Sequence, residues 1–260
     1  MKTIMFVECG SSGYGGSFHS LYHTVVNLNS EKYRSVVVFL NKTFFYEKLT
    51  ESGIRCYYLN DPIYKNCYTY KKFLLLKLNG FVLRYLSSMS VLVQYIIHLK
   101  TIHDMESIIR KECVDLIHLN NQLSLNYMGV FVAKSLSIPC VSHLRTFNSY
   151  GLNGSKISYA KKIKTNYIAI SEQIKRHWAE KGLDSKKIDV IYNVYQSSDD
   201  DVLPDNDIPS ISEYDGYKII FVGRLIECKG IPFLVKGFEQ IINNNINAKL
   251  FLVGDGEEEN

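Results

Sequence analysis

The sequence predicts an α/β protein: a mainly parallel sheet with helices on both faces, then the first β-α-β unit of a second domain of the same kind. Three observations carry this. Short apolar, β-branched runs alternate with stretches of helical period. An acidic, proline-bearing stretch then breaks the alternation, and beyond it one strand, one helix and one strand follow. Strands separated by helices pair in parallel, because the crossover helix returns the chain to the end where the previous strand began.

The strands are expected at Thr3–Val7, Ser35–Leu40, Arg55–Leu59, Leu116–Leu119, Pro139–His143, Tyr167–Ile170 and Asp189–Tyr192. The helices are expected at Ser17–Leu28, Phe45–Gly53, Lys71–Lys111 with a break at Asn79-Gly80, Gln122–Leu136 and Glu172–Lys181. Gly53 and Gly182 stand where two of these helices end, the position at which a glycine accepts a left-handed backbone. Residues 196–216 contain Asp199, Asp200, Asp201, Asp205, Asp207, Glu213 and Asp215 with Pro204 and Pro209, and no Lys or Arg. Such a stretch is solvated and forms a linker between domains 1–195 and 217–260. In the second domain Lys218–Val222 reads as a buried strand. Ile231, Leu234, Val235, Phe238, Ile241 and Ile242 repeat at helical spacing, and Lys249–Val253 is the next strand. One helix on two parallel strands leaves one face of that sheet uncovered.

Composition excludes several classes. Of 260 residues, 46% are hydrophobic and 22% charged, as in ordinary globular chains. The net charge of +4 is too small to argue for nucleic acid as a partner. The six cysteines form no C-x-x-C pair and no zinc spacing with histidine, so no disulfide framework or metal site is expected and a reducing, cytoplasmic setting is. The N-terminal apolar run ends at Glu8, too soon for a signal peptide. The apolar, uncharged stretch 85–99 falls short of the ~20 apolar residues of a membrane span.

Three segments are candidates for chemistry. Gly13-Tyr14-Gly15-Gly16-Ser17 follows the first strand and precedes a helix, where bare backbone and a helix N-terminus accommodate a phosphate. A flexible turn is the alternative. The spacing is not G-x-G-x-x-G and no acid ends the second strand, which argues against dinucleotide binding. Phe221-Val222-Gly223-Arg224-Leu225-Ile226-Glu227-Cys228-Lys229-Gly230 puts Arg224 at the carboxyl end of a strand and Lys229 just before a helix. Two cations there suit a diphosphate, although ordinary surface cations would look the same. Pro62–His103 carries no Asp or Glu, but six Lys or Arg among many aromatics. That composition suits an anionic membrane surface or a lipid-linked acceptor, and equally a long helix with solvated lysines.

The string F-V-G-R-L-x-x-x-K-G resembles the donor-binding signature of glycosyltransferase family 4, the retaining GT-B enzymes. Five further pieces follow in the family's order. These are Gly15-Gly16, Pro139-Cys140-Val141-Ser142-His143, Ile168-Ala169-Ile170-Ser171-Glu172, Val190-Ile191-Tyr192-Asn193-Val194 and Leu252-Val253-Gly254-Asp255-Gly256. The resemblance implies a GT-B type fold of two Rossmann-like domains, acceptor side first. It implies that Arg224 and Lys229 bind the donor diphosphate, that the backbone at Gly15 and Gly16 faces it, and that His143 lies beside the transferred sugar. The leaving phosphate would then help to deprotonate the acceptor. The expected donor is a nucleoside-diphosphate sugar and the acceptor a glycan or a lipid-linked acceptor, with no cofactor and no metal. The place of action would be cytoplasmic or peripheral on the inner membrane face, in cell-surface polysaccharide or glycolipid synthesis.

Two departures qualify this. Val194 stands where the family has glycine. The family's paired glutamates, E-x(7)-E, fall beyond Asn260, so the expectation is a C-terminally truncated chain of weak or no activity by itself. A non-catalytic fragment and a membrane-surface or polysaccharide-binding module are the alternatives at this point.

Overall fold

A computed structural model of the chain describes residues 1–10, 16–60, 91, 95–96, 98–121, 123, 127–147, 154–161, 165–193 and 209–256. The chain divides into two compact units, Met1–Tyr195 and Gln196–Asn260. Of the basic segment, residues 62–90, 92–94 and 97 lie outside the described residues, as does Gly15.

The first unit is a seven-stranded sheet in which every pairing is parallel. Its strands are β1 (Lys2–Glu8), β2 (Tyr33–Phe39), β3 (Arg55–Tyr58), β4 (Leu116–Leu119), β5 (Cys140–Leu144), β6 (Thr165–Ala169) and β7 (Ile188–Val190). They lie in the order β3-β2-β1-β4-β5-β6-β7. Each predicted strand of this unit forms, shifted by no more than two residues at an end. The order reverses direction between β1 and β4, and such a switch point opens a crevice at the carboxyl ends of the strands.

Helices α1 (Gly16–Val26), α2 (Phe44–Glu51), α3 (Leu99–Glu112), α4 (Tyr127–Ser135), α5 (Gly154–Lys161) and α6 (Glu172–Glu180) flank the sheet. Alternation along the central strands sorts them between two layers. Ile4, Phe6, Val37 and Phe39 pack with Phe18, Leu21 and Phe45 of α1 and α2. Met5, Val7, Val36 and Val38 pack with Ile102 and Met105 of α3, Val130 of α4 and Trp178 of α6. Both faces are covered, which is why the β1 and β2 sequences are nearly continuous apolar runs. Ser171 caps α6, its hydroxyl accepting from the Ile174 amide at 3.2 Å, and Trp178 Nε1 donates to the Thr146 carbonyl at 3.0 Å. Helix α5 is absent from the sequence expectation. Among its described side chains Ile157 and Ala160 are buried and Tyr159 packs partly buried against the core, a short run whose period does not announce a helix.

At the amino ends of the strands, Glu112 closes α3 with a buried carboxylate. It accepts from Arg34 Nη1 at 2.8 Å, Arg55 Nη1 at 3.0 Å and the Tyr57 hydroxyl at 2.5 Å. This ties β2 and β3 to α3 on the side away from the switch-point crevice.

The second unit begins, within the described residues, with the single turn α7 (Pro209–Ser212), inside the stretch expected to be linker throughout. Pro209 suits the first position of a helix, where no amide partner is lost. Strands β8 (Tyr217–Val222) and β9 (Ala248–Val253) pair in parallel around α8 (Ile231–Asn243). The expectation of a buried β8 does not hold: Ile220 is 50% and Val222 75% exposed. A single helix covers one face of a two-stranded sheet, so alternate β8 side chains face away from it.

Candidate functional site

The switch-point end of the first sheet carries a buried polar cluster assembled from three adjacent strands. Glu8 ends β1, Asn120 and Asn121 follow β4, His118 lies within β4, His143 lies within β5, and Arg145 follows β5. A strand delivers each side chain to the same rim because β1, β4 and β5 are parallel neighbours in register, with Phe6 paired to His118 and His118 to Val141. Apolar packing on both faces then removes these polar groups from water, so each must find a partner inside.

They do. Glu8 Oε1 accepts the Gly10 amide at 2.7 Å and the Asn121 side-chain amide. Its Oε2 accepts Asn120 Nδ2 at 2.5 Å. Asn120 Nδ2 also donates to the Ser17 carbonyl at 3.0 Å, which ties the first turn of α1 to the cluster. Arg145 Nε donates to the Asn120 carbonyl at 2.8 Å and Nη2 to Asn120 Oδ1 at 2.8 Å. Its Nη1 reaches Asn193 Oδ1 at 3.2 Å, beyond β7. His143 Nδ1 lies 3.1 Å from His118 Nε2 and 3.3 Å from Arg145 Nη2. The histidine rings are near-coplanar, 24° apart with centroids 5.3 Å apart, so they meet edge to edge through that N···N contact and not face to face.

The electrostatics follow from burial. Burial pushes the His143 imidazole down to about 2, with Arg145 and His118 adding to the fall. Burial and Arg145 push His118 down to about 4. Both rings are therefore neutral at pH 7. Burial lowers Arg145 to about 10 against the pull of Glu8, and it remains a cation. Burial raises Glu8, while the amides of Gly10, Asn120 and Asn121 and the charge of Arg145 oppose that rise. The result is a net of fixed donors and one carboxylate in a low-dielectric rim, an arrangement that orients groups without reorganising.

Sequence patterning singled out His143 but not its neighbours. Glu8 stood out only as the acid that ends the first strand, and Asn120, Asn121, His118 and Arg145 carry no spacing that announces a site. One signal was available: Glu8 and Asn120 both directly follow apolar strand runs, which places a polar residue at the carboxyl rim of the sheet. Gly10 is also required, since a Cβ there would meet the Phe18 ring at 2.7 Å and Glu8 Oε1 at 3.0 Å. Gly16 opens α1, and a Cβ on it would meet nothing within 4 Å.

In the second unit, Arg224 follows β8 and is exposed, and Lys229 ends a 3-10 turn (Glu227–Lys229) and is exposed. Gly230 then takes φ 73° and opens α8. The loop bearing Arg224 is pinned on both sides, Gly223 N–H donating to the Val253 carbonyl at 3.0 Å and Leu225 N–H to the Asp255 carbonyl at 2.8 Å. Gly254 permits this approach, because its φ is 147° and a Cβ would run into the Gly223 carbonyl. Among the described residues neither cation forms an ion pair. No three His, Cys, Asp or Glu side chains among them gather as metal ligands. No helix among them is long and apolar enough to cross a membrane.

Comparison with known proteins agrees with this architecture. Anabaena Alr3699/HepE, solved in complex with UDP and glucose, superposes with a TM-score of 0.64 at 17% identity, over 98% of this chain and 62% of that one. The lipopolysaccharide outer core galactosyltransferase WaaB, in its apo form, gives 0.60 at 16% identity, over 99% of this chain and 62% of that one. An uncharacterized glycosyltransferase of Methanocaldococcus jannaschii, MJ1059, is 44% identical over 46 residues, 18% of this chain and 11% of that protein. The chain thus spans less than two thirds of the length of each of these proteins. Their likeness gives the fold, an α/β architecture of the GT-B type. The family model described as Glycosyltransferase Family 4 matches residues 14–196, and the chain belongs to that family.

Proposed function

We propose that this chain is part of an enzyme that transfers a hexose from a nucleoside-diphosphate sugar to a hydroxyl of a glycan or lipid-linked acceptor. Residues 1–195 act as the acceptor side and 217–260 as the start of the donor side. The observation that carries the reading is the family match over 14–196 together with the polar rim at the β1–β4 switch point, where His143 sits. The solved complexes of Alr3699/HepE with UDP and with UDP-glucose support a uridine nucleotide as the probe of choice.

In this reading Arg224 and Lys229 bind the donor diphosphate and offset charge on the departing nucleotide. Arg supplies a planar fork and Lys a compact charge, so neither needs a metal to neutralise phosphate. The backbone at Gly15 and Gly16 faces the same diphosphate. His143 lies beside the transferred sugar, and the leaving phosphate takes the acceptor proton on the face it departs from. Retention of configuration, cell-surface polysaccharide synthesis and a cytoplasmic, membrane-peripheral setting belong to the same reading.

Titration of the chain with UDP and with UDP-glucose, followed by calorimetry and ligand-observed NMR, tests it. Binding is expected, and Arg224→Ala should weaken it at least tenfold while leaving the thermal midpoint unchanged. Absence of binding, or equal loss of binding and of the midpoint, would count against the donor role of Arg224.

A further inference from the structure

We propose that Arg145 is a positioning residue that holds His143 in its neutral Nε2–H tautomer, so that His143 offers a substrate oxygen a hydrogen-bond donor and not a base. The proposal rests on the reading that places His143 beside the sugar. Its geometric part stands on its own.

A guanidinium has donors only. Arg145 Nη2 lies 3.3 Å from His143 Nδ1, so that nitrogen must present its lone pair. The neutral ring then carries its proton on Nε2. His118 Nε2 faces the same Nδ1 at 3.1 Å, and so must be the donor of that contact. Both histidines are thereby fixed as Nε2–H tautomers. Protonating His143 at Nδ1 would set its new N–H against two other N–H groups, one of them cationic.

Arg145 is itself immobilised. Its Nε and Nη2 are held by the Asn120 carbonyl and Oδ1, each at 2.8 Å, and its Nη1 by Asn193 Oδ1 at 3.2 Å. Because the group is planar, these contacts aim Nη2 at the histidine. Asn120 is held in turn by Glu8. The charged or titratable groups around His143 are therefore Arg145 on its own strand end, His118 on β4 and, through Asn120, Glu8 on β1. On the other side β6 contributes Ile168, which carries no charge.

The test is a long-range proton–nitrogen correlation spectrum of the 260-residue chain labelled with 15N-histidine. Signals of the two rings are identified by their loss in His143→Gln and His118→Gln. For His143 the expected pattern is an unprotonated Nδ1 and a protonated Nε2, unchanged between about pH 5.5 and 8. A scalar coupling from His118 Nε2–H to His143 Nδ1 is also expected in the unaltered chain. Arg145→Gln should bring mixed tautomers, with the ring still neutral over this range because burial is the larger cause of its low value. Arg145→Lys keeps a charged donor and should restore the single tautomer. A protonated Nδ1 in the unaltered chain overturns the proposal whether or not any variant folds. So does a folded Arg145→Gln that retains the single tautomer. The spectrum needs no donor sugar, so failure here and failure of UDP binding are read separately.

Discussion

Glu112→Gln removes one negative charge from the amino-end cluster without changing side-chain volume, and the structure sets the size of the effect. The carboxylate is buried and accepts three bonds, from Arg34, Arg55 and Tyr57. Breaking a fully buried ion pair costs about 3–5 kcal/mol. Exposed pairs are worth about 0–1 kcal/mol. This cluster lies between those limits, because the Glu112 side chain is 2% exposed but Arg34 and Arg55 are 36% and 59% exposed and can rehydrate. The Tyr57 hydroxyl can also turn to accept from the new amide. A loss of about 2–3 kcal/mol is therefore expected at pH 7, read as a lower midpoint in urea with an unchanged slope. The pH dependence adds a second constraint. Burial pushes the Glu112 carboxyl up, but Tyr57, Arg55 and Arg34 outweigh it and hold the group below its usual range. A depressed carboxylate stabilises the fold above the unfolded value near 4.5, and that contribution disappears as pH falls through the folded value. The gap between parent and variant should narrow below pH 4.5. A loss under 1 kcal/mol at pH 7, or a gap that stays constant down to pH 3, would refute the reasoning.

Two further outcomes are expected. His118 and His143 are neutral in the fold but titrate near 6.5 once unfolded, so the unfolded chain binds more protons below that pH and stability falls as pH drops from about 6.5. For His118, held to about 4, the interval corresponds to roughly 3 kcal/mol lost by pH 4; a denaturation midpoint flat from pH 7 to 4.5 would contradict it. Gly254→Ala should destabilise the second unit by at least ~2 kcal/mol, through the collision with the Gly223 carbonyl and the positive φ. Protease cleavage confined to the second unit would report it, and unchanged cleavage would rule out the close approach.

What the sequence determined by itself was the local order of the fold. Alternating runs placed all seven strands of the first sheet and most of its helices, because apolar spacing is read within a few residues of chain. Gly53 and Gly182, with φ of 77° and 101°, end α2 and α6 where a left-handed residue was called for. The motifs around Arg224 and Gly254 named the family before any packing was known. The tertiary structure alone decided which residues meet. Glu8, Asn120 and Arg145 are separated by more than a hundred residues of chain at the widest, and they converge only because β1, β4 and β5 are neighbours across the point where strand order reverses. Burial then decided their character: in water these are ordinary polar side chains, and in the closed rim they become a fixed network of donors and one accepting carboxylate beside a neutral His143. Exposure of β8 was half legible: one helix on two strands already implied an uncovered sheet face, but the apolar run read as buried and did not say that Ile220 and Val222 would occupy that face.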